Sequence, residues 1–249
     1  MDLNADLGEG FGIWRLGDDA ALLDLVTSAN VACGFHGGDP STMHRVCAAA
    51  AERGVAVGAQ VGYRDLAGFG RRRIEYAFAD LRDEVIYQLG ALDAFCRLFR
   101  TRVRYLKPHG ALYHAAAVDE SQAAAIVAAV RGYDHELPIL CAPASRLAQL
   151  AAGAGLRVVA EGFADRNYLP NGSLVPRTAP DALVTDPEQV AARAVRMATE
   201  RTVVAIDGSA IACQVASICL HGDSPGAVAA ARLVRTALID AGVTPKPFA

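Results

Sequence analysis

The chain has 249 residues, 53% of them hydrophobic, with 24 basic against 27 acidic side chains and a net charge of −3. That size suits one (β/α) barrel, so residues 1–249 are read as a single domain. The charge balance excludes the basic footprint of a nucleic-acid binder, and no run is apolar enough for a bilayer span or a secretion signal, so a cytoplasmic protein with no membrane partner is expected.

Residues 1–7 alternate apolar and polar and predict a first strand, with Asp2, Asn4 and Asp6 on one side and Leu3, Ala5 and Leu7 on the other. A glycine loop from Gly8 to Gly12 follows, and Asp18 or Asp19 can cap a short helix through Val26. The stretch Ser28 to Pro40 predicts a second strand that ends in a His-Gly turn. Asp39 then stands at an N-cap, with Pro40 at the first helical position of a helix that runs to Arg53 and stops at Gly54. Val55 to Val61 reads as strand three, followed by a long glycine-spaced loop to Arg72. Asp80 is expected to cap the longest helix, which runs to about Phe99. Val103 to Pro108 is strand four, and Gly110 to His114 is expected to turn away from it. Asp119 with Gln122 predicts a capping box on a helix ending at Gly132. Pro138 to Ala142 is strand five, and a helix runs from Ser145 to about Ala152. Arg157 to Gly162 is strand six, and a second long loop runs from Phe163 to Arg177. Asp186-Pro187 opens a helix to about Thr199, and Val203 to Ile206 with Ala210 to Cys213 suggests a small hairpin. Ala216 to Leu220 is the last strand, and Ser224-Pro225 opens a helix ending at Gly242.

This alternation predicts an α/β fold with seven parallel central strands and a small hairpin before the last. A closed or nearly closed barrel fits better than an open sheet, because reactive residue types recur at many strand ends and a barrel gathers them at one mouth. His36, His109 and His221 each stand beside a glycine at such an end. Their imidazoles suit metal ligation, acid–base work or hydrogen bonding to a polar substrate, with Asp39 or Asp223 as an acceptor behind them. Asp6 and Glu9 cluster past strand one as a base, a ligand or a structural hub. Lys107 is a cation in an apolar strand, so it requires an anionic partner from the barrel or from a substrate. Arg166 and Arg177 bracket the second loop and suit bidentate carboxylate or phosphate binding. Arg71 to Arg73 read first as a solvated loop, and His44 as pointing away from the strand end. The six cysteines lack a CxxC pair and read as reduced, buried thiols. No GxxxxGK[ST], GxGxxG after a strand, HExxH or GxSxG is present.

At these residues the chain resembles the LamB/YcsF family, identified as the A subunit of bacterial 5-oxoprolinase. The resemblance rests on DLNADLGEGFG at Asp2 to Gly12, Ser28 to Pro40, Gly62 to Arg72, Lys107 to Tyr113, Phe163 to Tyr168 and Leu220 to Asp223. It implies an irregular seven-stranded β/α barrel of the kind shared with sugar deacetylases. It also implies ATP-dependent opening of 5-oxo-L-proline to L-glutamate, with ATP and Mg2+ as cofactors and subunits B and C as partners. Catalytic roles then fall to Asp6, Glu9, His36, Lys107 and His109, and substrate or phosphate binding to Asn30, Asp39, Arg166, Arg177, His221 and Asp223. A metal in the barrel is left open. The alternatives are a metal-dependent deacetylase or amidohydrolase acting alone and a non-catalytic lactam-binding subunit. The chain departs from the family pattern at Ala5, where Cys is expected, at Gly37, where Ala is expected, and within Gly58 to Asp65. There Gln60 stands for an expected His, and Val61 and Arg64 for two expected prolines.

Overall fold

Strands buried on both faces need a shell of helices outside and a filling inside. The computed structural model, which describes residues 1–222 and 226–249, provides both. Six parallel strands follow one another: β1 (Asp2–Leu7), β2 (Ser28–Ala32), β3 (Ala56–Val61), β4 (Val103–Pro108), β5 (Ile139–Cys141) and β6 (Val158–Phe163). An antiparallel hairpin of β7 (Thr202–Val204) and β8 (Ala210–Ala212) stands apart from the barrel. The last strand, β9 (Ser217–Leu220), then pairs with both β6 and β1 and closes the barrel at seven strands. Between them run α1 (Asp19–Leu23), α2 (Pro40–Arg53), α3 (Phe78–Leu98), α4 (Gly110–Val118), α5 (Glu120–Tyr133), α6 (Arg146–Gly153) and α7 (Pro187–Thr199), with α8 (Ala227–Asp240) last. Among the described residues no helix is long and apolar enough to cross a membrane.

The period-two reading of β1 holds. Leu3, Ala5 and Leu7 join the apolar layer beneath the helices, while Asp2, Asn4 and Asp6 are buried in a hydrogen-bonded barrel interior. Barrels of this kind usually fill their interior with branched apolar side chains. Here the filling is a polar ladder. Asp2 accepts from the hydroxyls of Thr27 (2.6 Å), Ser28 (2.7 Å) and Ser217. Asn4 donates to Ser217 Oγ at 2.6 Å, Asn30 donates to Asn4 Oδ1 at 2.6 Å, and the Tyr105 hydroxyl donates to Asn30 Oδ1 at 2.6 Å. The ladder leads up to Asp6, and it supplies each buried polar group with a partner that an apolar interior would deny it.

The helix starts follow local capping chemistry. Asp39 accepts from the Thr42 N–H at 3.0 Å, Pro40 occupies the first position, and the helix ends before Gly54, as the sequence predicts. The Asp39 carboxylate also accepts from the Gly12 N–H at 2.8 Å. Asp39→Ala should therefore cost about 1–2 kcal/mol, read as a lower denaturation midpoint, and Asp39→Asn should recover most of it.

Three expectations are corrected. The longest helix begins with Ala77 at its cap, and Asp80 sits inside its first turn, where a negative charge favours the helix dipole without capping it. The stretch from Gly110, expected to turn away, forms α4, because Ala111 to Val118 is strong helix-forming sequence once the turn is made. Asp119 does cap α5, but Gln122 does not return the bond; its side chain is buried and accepts from the Tyr63 hydroxyl. The Ser224-Pro225 start expected for the last helix lies outside the described residues.

Candidate active site

The carboxyl ends of the strands open into a cavity of about 680 Å³, lined among others by Asp6, Lys107, His109, Tyr113, Arg177 and His221. Its floor is a charge cluster that the strand register builds. Asp6 pairs across with Asn30, and Lys107 with Gln60, so side chains of β1 to β4 meet inside the barrel. Lys107 Nζ lies 3.0 Å from Asp6 Oδ1, 2.8 Å from Glu161 Oε1 and 3.1 Å from Cys219 Sγ. All four side chains are buried. Burial alone would push the Asp6 carboxyl up, but the Lys107 charge, the largest opposing influence, outweighs it and holds the carboxyl well below its usual range. Burial pushes Glu161 up, with Lys107 opposing. One ammonium thus faces two carboxyls, of which Asp6 carries the charge and Glu161 is drawn towards its neutral form. Burial opposes the charge on Lys107 as well, but Asp6, Cys219 and Glu161 raise its affinity for the proton.

Above the floor, the His36 and His109 rings stack at 3.7 Å and 8°. Burial lowers both. His36 falls well below the usual imidazole value, with His109 adding to the effect, and His109 falls to about 4. Both rings are therefore neutral at physiological pH. His36 Nε2 lies 3.2 Å from Gln60 Oε1, which can accept its proton, and His109 Nε2 lies 3.0 Å from the Phe69 carbonyl. Glu9 Oε1 is 3.5 Å from His109 Nδ1 and 3.9 Å from His36 Nε2. Among the described residues, Glu9, His36 and His109 are the group whose donor atoms could hold a metal ion, all lying within 4.8 Å of one another. Asp6 and His221 do not belong to that group.

The third histidine stands on another wall. His221 Nδ1 lies 2.8 Å from Asp165 Oδ2, which also accepts the His221 backbone N–H at 2.9 Å, and the ring stacks on Phe163. Burial would raise Asp165, but His221 and then Arg177 keep it below the usual carboxylate range. A proton on Nδ1 leaves Nε2 as the other face of an Asp–His pair. Arg166, only 2% exposed, donates to the Ala182 and Val175 carbonyls at 3.2 and 2.7 Å, and burial lowers it to about 10. It ties the long loop into the cavity wall. Arg177 is half-buried on the same wall, with no hydrogen bond or ion pair among the described residues.

The predicted residues therefore divide by position. Asp6, Glu9, Lys107, His109, Arg166, Arg177 and His221 line one cavity. His36 lies behind His109 rather than on the cavity wall, Asn30 lies beneath Asp6 and donates to its Oδ1 at 2.8 Å, and Asp39 caps α2 away from the cavity. Asp223 lies outside the described residues. The acceptor on His221 Nδ1 is Asp165, a residue the sequence reading did not name, while Asp39 serves as a helix cap. Arg71, read from the sequence as solvated, lines the cavity, with its guanidinium 4.8 Å from the Phe69 ring centroid. Arg72 and Arg73 pair with Asp65 and with Glu75 and Asp119. His44 packs edge-on against Phe95 and Phe99, away from the site as expected. Sequence reasoning misses Glu161, although an acid inside the apolar run Val158 to Phe163 carries the same signal that draws attention to Lys107.

Known proteins share the sequence and fold of this chain. The model of the LamB/YcsF family matches residues 1–249. The 5-oxoprolinase A subunit of Nocardia farcinica is 55% identical over 248 residues, covering 100% of this chain and 99% of the relative. That of Streptomyces avermitilis is 57% identical over 249 residues, covering all of both chains. The solved structure of the lactam utilization protein from Thermus thermophilus is 44% identical, with a TM-score of 0.95 over 100% of this chain and 99% of that one. A family 4 carbohydrate esterase from Streptomyces lividans, 12% identical with a TM-score of 0.50 over 100% of this chain and 92% of its own, shares the fold alone.

Proposed function

The chain belongs to the LamB/YcsF family, and from that premise we propose that it is the A subunit of a 5-oxoprolinase, working with subunits B and C to open 5-oxo-L-proline to L-glutamate at the expense of ATP. The observation that carries the reading is the cavity itself. It brings to one mouth an ionised carboxylate, a neutral histidine and an arginine that makes no hydrogen bond or ion pair among the described residues, in a chain whose full-length relatives bear that name.

A lactam carbonyl resists water because its nitrogen shares a lone pair with it. Transfer of the γ-phosphoryl group of MgATP to the lactam oxygen ends that protection and releases ADP. One water then adds at the lactam carbon, giving up its proton to the base. The ring C–N bond breaks, the nitrogen takes a proton, and the γ-acyl phosphate of glutamate remains. A second water releases inorganic phosphate. In this reading His109 and Asp6, which line the cavity, act as proton acceptors, the Lys107 ammonium faces developing negative charge, His221 backed by Asp165 returns a proton to the leaving nitrogen, and Arg177 meets carboxylate or phosphate. Each positioned acid or base is worth about 10²–10⁴ in rate.

The metal-dependent alternative draws on Glu9, His36 and His109. What opposes an ion here is charge: Arg71, which adds to burial in disfavouring protonation of both rings, disfavours another cation beside them too. Reconstitution with candidate B and C subunits decides the matter, with glutamate formation followed with and without ATP and with each subunit left out in turn. Glutamate is expected only from the complete, ATP-supplied mixture. ATP-independent turnover by this chain alone, lost on chelation, would establish the metal-dependent amidohydrolase instead. Turnover insensitive to substitution of Asp6 and His109 would reduce the chain to a lactam-binding subunit.

A further inference from the structure

The loop after β3 contains a backbone conformation that the barrel does not require. Phe69 sits at φ +54°, in the left-handed region that a residue with a bulky side chain occupies only when its surroundings impose it. The imposing group is Asp65, 5% exposed despite its charge. Its Oδ1 accepts from the Gly68 N–H and from Arg72 Nε, each at 3.0 Å, and its own carbonyl accepts from the Gly70 N–H at 2.9 Å. The turn is then locked to α4, because the Gly70 carbonyl accepts from the Ala111 N–H at 2.9 Å. The approach is close enough that a Cβ on Gly70 would meet His36 Cβ at 2.7 Å, and one on Gly110, at φ +54°, would meet Gly70 O at 2.7 Å. The outcome of this construction is one contact, the Phe69 carbonyl 3.0 Å from His109 Nε2.

A carbonyl oxygen only accepts, so the nitrogen facing it carries the proton. A neutral imidazole has one N–H, and its other nitrogen is therefore bare. We propose that Asp65 is a positioning residue of the site: by folding the loop from Asp65 to Arg72 it aims the Phe69 carbonyl at His109, fixes the Nε2–H tautomer, and leaves the Nδ1 lone pair as the base. This rests on the reading of His109 as proton acceptor given above. Nδ1 lies 3.5 Å from Glu9 Oε1, beyond ordinary hydrogen-bond length, so this contact does not itself hold a proton on Nδ1. When water gives up a proton to Nδ1, the imidazolium is held by the Phe69 carbonyl on one side and the Glu9 carboxylate on the other. The opposite tautomer would place its N–H towards Glu9 and its lone pair against the Phe69 carbonyl, with no room for the proton in transit.

The test is ¹⁵N-histidine NMR of the full chain, with the His109 resonances assigned through His109→Gln and paired with steady-state kinetics in the reconstituted enzyme. Wild type is expected to show a protonated Nε2 and a bare Nδ1 at His109. Asp65→Ala should give averaged shifts from both tautomers and lower kcat at least tenfold, with KM for 5-oxoproline within twofold. Gly70→Ala, whose Cβ would meet His36 Cβ at 2.7 Å at a left-handed position and so displace the turn without touching Asp65, should mix the tautomers in the same way and serves if Asp65→Ala does not fold. Arg72→Met, which removes a solvent-facing partner of Asp65 while the Gly68 bond stays, should retain the wild-type tautomer. An Nδ1–H tautomer in wild type, or an unchanged tautomer in both loop variants, would overturn the proposal. The NMR readout needs no turnover, so its failure and a failure of the 5-oxoprolinase reading are separable.

Discussion

Lys107→Met should destabilise the protein by about 3–5 kcal/mol at neutral pH, because it strands Asp6 and Glu161 as buried carboxylates without their cation. For a chain of this length that corresponds to a fall in Tm of roughly 6–20 °C. The pH dependence distinguishes this cause from lost packing. In the wild type, Lys107 holds Asp6 below its unfolded value despite burial, so its contribution to stability is present above about pH 4 and disappears as pH falls further. The Lys107 proton is held more tightly in the folded state, so its contribution is complete below the ordinary lysine value and is lost only at strongly alkaline pH. Without the ammonium, burial decides, and both carboxyls bind protons more tightly folded than unfolded. The variant's deficit should therefore be largest at pH 7 and shrink as pH falls through those raised values. Chemical denaturation of both proteins from pH 7 to pH 4.5 measures it, and a deficit constant across that range would rule the electrostatic account out. The triple variant Lys107→Met, Asp6→Asn, Glu161→Gln should recover much of the stability and none of the turnover, since the floor would be neutral and would lack the ammonium that faces developing negative charge.

That result bears on why the barrel tolerates so polar an interior. The ladder from Asp2 through Asn4 and Asn30 to Asp6 spends no apolar surface, and each member is held by another. A hydrogen-bonded interior of this kind fixes side-chain geometry more tightly than an apolar one, since a shifted partner leaves a buried polar atom unsatisfied. Asp6 is thereby held at the top of a rigid column, with Asn30 and Lys107 bonded to the same carboxylate oxygen. Asn30, assigned from the sequence to the substrate, sits where it orients the carboxylate instead.

Much of this was legible in the sequence because it is written locally. Period-two polarity in residues 1–7 identifies the inward face of β1, and Asp39, Pro40 and Gly54 mark the limits of α2 to the residue. The gathering of strand-end histidines at one mouth follows from parallel topology, which strand-helix alternation already implies. What could not be read depends on side chains that meet across the barrel or through a loop. The ion-pair partners of Lys107 come from β1 and β6 at once, and although Glu161 stands out as an acid in an apolar run, no spacing along the chain pairs it with Lys107. Asp165 reaches His221 across 56 residues of sequence. Arg71 and Arg72 are adjacent, yet one lines the cavity and the other faces solvent, because the turn made by Asp65 separates them. The helix α4 was hidden by Gly110, whose turn conformation serves a close contact with the loop rather than the end of regular structure.

His109 carries the second large effect, on stability and on turnover together. Burial lowers its pKa from the ordinary 6.5 to about 4, with Arg71 and Lys107 adding to the depression and Asp6 and the Phe69 carbonyl opposing it. Glu9 lies beside Nδ1, and His36, stacked on the ring and also depressed, titrates in the same sense. A histidine that binds its proton less tightly when folded contributes fully above pH 6.5, and the contribution is lost as pH falls from there to about 4, where both states are protonated. At about 1.36 kcal/mol per pH unit, His109 alone accounts for a loss of about 3 kcal/mol over that window. His109→Gln removes the titration but not the neighbours, so the stability difference between wild type and variant should move by about 3 kcal/mol in the variant's favour between pH 7 and pH 4, while His36 and the carboxylates contribute to both proteins. In the reconstituted enzyme the same depression predicts that the base form persists to low pH, with the acid limb of kcat/KM near 4 rather than near 6.5, and that His109→Gln lowers turnover by about 10²–10⁴. An acid limb near 6.5 in wild type would mean that the imidazole is wet in the working enzyme, and an unchanged turnover in His109→Gln would move the base to Asp6, the other proton acceptor in reach of the cavity.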